Sequence, residues 1–230
     1  MSVAVNDIID RAETILQDTT NTTWPELELV DWLNAGQAEI VLLKPEASVT
    51  NDSIALAVSE TKQSLPSGGI QLLDVVRNMG TDGTTPGKAI RLIERRILDE
   101  QIPDWHSETG DAVVKRFMFD ERDPKHFYVY PPQPAASPGY VEVVYSSAPT
   151  VVASDGDISI DDVYANALLD YILYRAYSKD ADYAANNQRA MGHYQAFQLS
   201  IRGKNVAETL NDPNAKEERN SPGNSVAARS

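Results

Sequence analysis

Four carboxylates surround a Trp-His pair in the middle of the chain, and this is the place where residue types best suit proton transfer. The residues are Asp99, Asp104, Trp105, His106, Asp120 and Asp123. A histidine beside carboxylates can act as a general acid or base. However, these aspartates fall at predicted turns and strand ends, where Asp commonly bonds to nearby backbone. We therefore predict no catalytic role for them.

Metal chemistry has few available ligands in this sequence. Cysteine is absent, which removes disulfides and thiolate sites, and the three histidines, His106, His126 and His193, show no ligand spacing. The stretch 155–161 begins like a calcium loop, but Ile160 stands where that loop needs glycine and Asn166 replaces its closing Glu. We predict no catalytic residue, no metal and no cofactor, and hence a protein that is not an enzyme.

The charge of the chain is strongly negative and uneven. The formal net charge is -14, and residues 1–60 contain eleven acidic side chains against Arg11 and Lys44. Proteins that hold nucleic acid need clustered cations, so this balance argues against such a surface. We interpret the acidic faces as solvated. No basic region followed by an apolar run opens the chain, and no stretch approaches the ~18 apolar residues of a membrane span, so we expect a cytosolic protein.

Helical periodicity is found at both ends of the chain and is absent between them. The predicted helices cover residues 5–18, 24–44, 161–179 and 181–202. In the second helix, Gly36 indicates close approach of another helix, while Asp161 can cap the third. Gly203 suits the residue just past the end of the fourth.

Residues between these helices show short apolar runs with Pro and Gly punctuation, typical of strands and turns. The runs 113–119, 127–130 and 140–145 predict a β-meander, whereas 69–77 fits a strand or a helix equally well. The predicted fold is α+β, mainly α. A four-helix bundle core (residues 1–45 and 155–203) carries a β-rich insertion (46–154).

Residues 204–230 form a predicted C-terminal tail, which we expect to be extended and to be disordered in the isolated subunit. This segment has almost no large apolar side chains, so it cannot bury enough surface to offset the entropy cost of ordering.

An aromatic stripe on the third helix allows two interpretations. It consists of Tyr171, Tyr174 and Tyr177 with Arg175 beside them. Such a stripe is usually core with polar tips. Because Tyr and Arg are also favoured at protein interfaces, an oligomer contact is the second interpretation.

Several motifs, taken in order, resemble a family of phage adaptor, or head-to-tail connector, proteins. They are Trp24 to Pro45, Lys62 to Pro66, Leu72 to Asn78, Pro103 to His106, Phe119 to Pro132 and Tyr171 to Asp180. Each motif alone is weak, and the resemblance depends on their number and order over residues 5–203.

The resemblance implies a structural virion protein located in the neck or tail, after assembly in the host cytoplasm. Its subunits are expected to form a dodecameric ring that docks on the portal protein and meets the tail tube or nozzle. DNA would pass through the centre during genome ejection without specific binding. For portal binding, the tail offers Lys204, Val206, Leu210, Lys216, Arg219 and Arg229.

Two other classes of protein remain open on the sequence alone. An enzyme of unrecognised family would need titratable groups that converge in a pocket, which an activity screen could reveal. A helical ligand-binding module would remain monomeric or dimeric, whereas an adaptor forms a ring with its portal.

Overall fold

The structure is a computed structural model that describes residues 3–180 and 184–211. Within these residues the chain forms five α-helices and two β-sheets. In chain order the elements are α1 (Val5–Leu16), α2 (Glu26–Leu43), β1 (Val49–Ala55), β2 (Lys62–Ser64), β3 (Gly69–Asn78), β4 (Arg91–Leu92), α3 (Arg95–Gln101), β5 (Arg116–Phe119), β6 (His126–Tyr130), β7 (Tyr140–Ser147), α4 (Ala165–Lys179) and α5 (Ala184–Asn211).

The chain divides into two compact units. The described parts of residues 1–37 and 151–230 make up one, called here the helical unit, and residues 38–150 make up the other, the β unit. The division falls inside α2, after Gln37, so this helix begins in one unit and ends in the other.

In the helical unit, α4 packs along both α1 and α5. The fully buried side chains include Ile8, Leu33, Leu168, Ile172 and Phe197. A Cβ at Gly36 of α2 would lie 3.0 Å from Cδ1 of Tyr171 on α4. The predicted close approach of another helix at Gly36 is therefore confirmed.

The predicted four-helix bundle core is wrong, and the fold is a mixed α+β arrangement. Whereas α4 packs along two helices, α2 approaches α4 locally at Gly36, and its last turns belong to the β unit. In addition, the β unit has a hydrophobic core of its own between its sheets. A single bundle core requires each helix to face the other three along its whole length, whereas the last turns of α2 lie in the other unit.

The fourth predicted helix continues beyond its expected end. Gly203 lies inside α5, which reaches Asn211. A glycine inside a helix costs only about 1 kcal/mol relative to alanine, so one glycine does not end a helix that has other support. The prediction of a disordered tail is thus wrong for residues 204–211, and for 212–230 it lies outside the described residues.

The β unit contains a three-stranded sheet with the order β1-β7-β3 and a four-stranded sheet with the order β2-β6-β5-β4. The core cluster includes Val75, Phe117, Phe127, Val129 and Val143, contributed by both sheets. Antiparallel pairing joins β7 to both its neighbours, whereas β4 pairs with β5 in parallel.

The predicted β-meander is wrong in its third strand, because β5 and β6 pair but β7 lies between β1 and β3. Proline residues at 131, 132, 134 and 138 separate β6 from β7. Since proline has no amide hydrogen, this connection cannot continue the ladder and leaves the sheet.

Candidate functional site

The Trp-His pair lies on the four-stranded sheet as part of an aromatic cluster. Trp105 is fully buried, and its ring meets Tyr128 and Tyr130 edge-on at centroid distances of 6.2 and 6.4 Å. Its indole Nε1 donates to Oδ1 of Asp99 at 2.8 Å. A buried indole needs such an acceptor, so Asp99 supports the position of the tryptophan.

His106 stacks on Trp105 with ring centroids 3.6 Å apart, and its Nδ1 shares a hydrogen bond with Oγ1 of Thr61 at 2.8 Å. Burial of the ring face lowers the pKa of His106, and the positive charge of Arg95 lowers it further. The neutral imidazole is therefore favoured at neutral pH.

Carboxylates further along the chain are held by other partners. Asp120 accepts hydrogen bonds from the guanidinium and the amide of Arg122, which lowers its pKa to about 2. Asp123 accepts from Nζ of Lys62 at 3.1 Å and pairs with Nδ1 of His126 at 2.6 Å. Asp120 and Asp123 thus bond to near neighbours at a turn, in agreement with the prediction that Asp acts locally there. For Asp99 the predicted turn is wrong, because this residue lies inside α3.

Two histidines have carboxylate partners that sequence reasoning did not identify. His126 pairs with Asp123, three residues earlier, as described above. Nδ1 of His193 on α5 meets Oδ1 of Asp170 on α4 at 2.9 Å, while its ring stacks on Tyr177. The sequence signal for His126 was its i, i+3 spacing, whereas Asp170 is distant from His193 in the chain.

The aromatic stripe of α4 packs on α5. Tyr171 meets Phe197 at 5.1 Å and Tyr174 meets Tyr194 at 4.8 Å between ring centroids. Tyr171 and Tyr177 are therefore buried in the helical unit and Tyr174 is half-buried, as the first interpretation of the stripe, core with polar tips, predicted.

Arg175 instead is exposed, and it lines an open groove of about 390 Å³. The groove is lined by Glu28, Trp32, Tyr174, Arg175, Ser178 and Lys179. Nζ of Lys179 and Oε2 of Glu28 form an ion pair at 2.6 Å there. This surface leaves the second interpretation, an oligomer contact, open for Arg175.

Of the six residues suggested for portal binding, Lys204 contacts the helical unit through its side chain. Its ammonium lies 3.9 Å from the ring centroid of Tyr164 and 3.6 Å from Oδ2 of Asp161. Val206 and Leu210 lie in the last turns of α5. The other three, Lys216, Arg219 and Arg229, lie outside the described residues.

Two polar residues of α2 have a structural role that the sequence did not indicate. Nδ2 of Asn34 donates to the carbonyl of Val152, and Oδ1 of Asn34 accepts from the amide of Val152, both at 2.9 Å. Oε1 of Gln37, which is 1% exposed, accepts from the amide of Ser159 at 2.7 Å. The two side chains thus take the place of a backbone partner for Val152 and Ser159.

The described part of the chain contains no group of three or more His, Asp or Glu side chains arranged to hold a metal ion. Among its helices, none combines the length and the apolar character needed to cross a membrane. The polar side chains described above mainly hold loops, strands and helices of this α+β protein together.

Comparison with known proteins identifies the family of this chain. A family model described as SU10 adaptor protein matches residues 4–224, which is nearly the whole chain. The chain therefore belongs to the SU10 adaptor protein family, a family of phage head-to-tail adaptors. The resemblance inferred from the sequence motifs is confirmed. A search of curated proteins found no match.

Proposed function

We propose that copies of this chain form a ring, expected to be dodecameric, that joins the portal protein to the tail tube or nozzle. The observation that carries this proposal is the match of the adaptor family over residues 4–224. In the proposed assembly, the portal holds the ring on one side and the tail component binds the other. DNA passes through the centre without specific binding.

The acidity of the chain supports the proposed passage of DNA. With a net charge of -14, the ring presents a predominantly negative field, which repels phosphates. A duplex moving through such a channel is not held by counterion release, as it would be on clustered cations.

We assign the portal contact to residues 204–230. Lys204 fixes the base of this segment to the helical unit through Tyr164 and Asp161. Beyond it, Val206 and Leu210 offer apolar contacts, and the charged side chains of Lys216, Arg219 and Arg229 pair with acceptors on the portal. Binding to a partner supplies the contacts that offset the entropy cost of ordering.

Imaging of a reconstituted complex tests this proposal. The purified chain is incubated with its cognate portal, and the product is examined by electron microscopy. We expect a ring of adaptors on one face of the portal, with as many subunits as the portal symmetry accommodates. The portal of an unrelated phage serves as the control and should remain bare. A cognate portal that also remains bare would contradict the proposed function.

A further inference from the structure

A groove between α2 and α4 opens at the end of the helical unit where α4 finishes. The two helices approach closely at Gly36, where a Cβ would lie 3.0 Å from Cδ1 of Tyr171. Toward the C-terminus of α4, two large side chains, Trp32 and Tyr174, line the open groove of about 390 Å³ described above. Trp32 is 8% exposed and Tyr174 is half-buried, so the inner part of the lining is aromatic. We call this surface the α2–α4 groove.

The lining of this groove contains one positive charge without a counter-charge. Its charged residues are Glu28, Arg175 and Lys179. Glu28 and Lys179 form an ion pair with each other. Arg175 is exposed and forms no ion pair or hydrogen bond within the described part of the chain, and none of the residues one turn away on α4 is acidic. The groove is therefore positively charged, in contrast to the net charge of -14 of the whole chain.

A large apolar side chain next to a carboxylate fits this lining. The apolar group would pack on Trp32 and Tyr174, while the guanidinium of Arg175 donates two parallel hydrogen bonds to the carboxylate. Trp, Tyr and Arg are also the residue types in which the binding energy of protein interfaces is concentrated. DNA fits less well, because the eleven acidic side chains of residues 1–60 repel phosphates. The chemistry of the groove thus favours a peptide segment with an acidic residue beside an apolar one.

The position of the groove along α4 indicates which partner supplies that segment. The helix α5 runs antiparallel to α4, since Tyr194 meets Tyr174 whereas Lys204 lies over Tyr164. Residues 204–230, to which we assign the portal contact, therefore begin beside the first turn of α4. The groove lies beside the last turns of the same helix. Because α4 has 15 residues, about 22 Å separates its two ends.

We propose that the α2–α4 groove binds an acidic segment of the tail tube or nozzle protein. Arg175 pairs with a carboxylate of that segment, and the apolar neighbour of the carboxylate packs on Trp32 and Tyr174. The portal and the tail component bind opposite sides of the proposed ring, which agrees with two contact sites at opposite ends of α4. This inference rests on the proposed function, and it adds the residues that meet the tail component.

Charge reversal at the groove tests this contact. Arg175→Glu replaces the unpaired cation, and Arg202→Glu, at an exposed site on α5 of the same unit, is the matched control. Binding of the purified tail component to portal-bound rings and to the free chain is measured by biolayer interferometry. We expect Arg175→Glu to weaken binding about tenfold to a hundredfold, and Arg202→Glu to leave it unchanged within about twofold. Both variants should form the ring on the portal as wild type does.

Photo-crosslinking identifies the segment that occupies the groove. The chain has no cysteine, so Ser178→Cys places the only thiol at the groove, and benzophenone maleimide is attached there. Ser200→Cys, at an exposed serine on α5, is the control. After irradiation of the portal–adaptor–tail assembly, mass spectrometry should find a cross-link from position 178, and none from position 200, to a tail-component segment with Asp or Glu beside a large apolar residue. Replacing that acid by Arg should restore binding to the Arg175→Glu variant.

The outcomes separate this inference from the proposed function. Unchanged binding by Arg175→Glu, a cross-link to a segment without an acid, or no cross-link would overturn the groove contact and leave the adaptor function intact. A cross-link to the portal or to a second copy would overturn the assignment of the tail component. A wild-type chain that binds the tail component through Arg175 but forms no ring on the portal would support the groove contact and contradict the function. Binding to neither partner would overturn both.

Discussion

Asn78 lies buried at the end of β3, where its side-chain amide joins two other segments of the β unit. Nδ2 donates to the carbonyls of Lys88 and Val114 at 2.9 and 2.8 Å, and Oδ1 accepts from the amide of Val114 at 2.7 Å. Asn→Ala at this position leaves the buried carbonyl and amide of Val114 without these partners, whereas the carbonyl of Lys88 keeps its bond from the backbone amide of residue 78. We expect Asn78→Ala to lower the free energy of unfolding by about 2 to 3 kcal/mol, measured by urea denaturation.

Asn51→Ala is the matched control for this prediction. Asn51 is exposed and makes one side-chain hydrogen bond, to Glu142, so its replacement should change stability by no more than about 0.5 kcal/mol. Equal effects of the two substitutions would show that the buried amide does not hold the segments.

Glycines inside helices provide a second comparison at the residue scale. A Cβ at Gly36 would crowd Tyr171 and Leu168, both of them buried, whereas Gly192 of α5 has nothing within 4 Å of that position. We expect Gly36→Val to cost about 1 to 3 kcal/mol through overpacking. Gly192→Val should leave the stability within about 0.5 kcal/mol, because valine is the better helix former. Thermal unfolding followed by circular dichroism measures both; a stable Gly36→Val variant would contradict the close packing.

At the residue scale, the sequence predicted those features that depend on near neighbours. The role of Gly36 follows from local pattern. Asp161 was predicted to cap the third helix, but its Oδ1 accepts from the amide of Val163 and caps a short 3-10 turn that precedes α4. In contrast, the partners of Asn34 and Gln37 lie more than a hundred residues away in the chain. Nothing in the spacing of the sequence could identify them.

At the scale of elements, β3 explains why its sequence fitted a strand and a helix equally well. Ten residues of β3 face seven of β7, with register shifts after Gly69, Leu72 and Val75. Each shift adds a residue on one strand, as in a β-bulge. The inward side chains therefore recur every three residues instead of every two, which lies close to the helical period. The three-residue spacing in the sequence reflects the bulges, but the same spacing is also compatible with a helix.

The helix α3 was missed altogether, although a local signal was present. Two i, i+4 pairs, Arg95 with Asp99 at 3.5 Å and Arg96 with Glu100 at 3.3 Å, lie along its seven residues. Such pairs add only a few tenths of a kcal/mol each. In so short a segment, packing of Leu98 in the cluster with Trp105 and Met118 provides the main stabilisation, and that packing is not visible in local spacing.

The C-terminal segment gives a prediction at the element scale. Truncation after Asn211 keeps all of α5, and therefore also keeps the contact of Lys204 with Tyr164. We expect the truncated chain to show an unchanged circular dichroism spectrum but to lose stable docking on the portal, measured by co-sedimentation. A full-length variant with Lys216→Glu and Arg219→Glu should dock more weakly than wild type. Unchanged docking after truncation would refute the assignment of the portal contact.

For the whole molecule, the ionisable groups predict sensitivity to acid. Hydrogen bonds from the backbone amide of Trp24 and its neighbours lower the pKa of Asp18, and Asn51 and Arg77 lower that of Glu142. The pKa of Asp120 falls to about 2, and burial lowers that of His106. Each group has a lower pKa in the folded state than in the unfolded one. The stability that it contributes is therefore present above its unfolded pKa and is lost as the pH falls.

Thermal unfolding between pH 7.5 and 2 measures this effect. We expect the midpoint to begin falling below about pH 6.5, the unfolded value for histidine, and to fall further below about pH 4.5, where carboxylates protonate. An Asp18→Asn variant lacks one of the carboxylates whose protonation lowers the stability. Its unfolding midpoint should therefore fall less steeply at low pH. A midpoint that stays constant down to pH 3 would contradict these pKa directions.

At this largest scale, the sequence predicted a mixed α and β composition but not how its helices are distributed. Stripes of apolar residues at both ends of the chain indicated four long helices, and residues 3–180 and 184–211 form four besides the short α3. Their grouping into one bundle was wrong, because a stripe shows that a helix buries one face without showing which element covers it. The family, by contrast, was identified from the order of short motifs along the chain.

The pairing of Asn34 with Val152 has a consequence for how such proteins can diversify. These two residues stand just before the chain leaves the helical unit and just after it returns, and two hydrogen bonds hold them side by side. The departure and return points are thus neighbours, which is the arrangement in which whole segments can be exchanged without pulling the remaining fold apart. Residues 38–150 can accordingly be regarded as a cassette whose two ends are held together by one asparagine side chain.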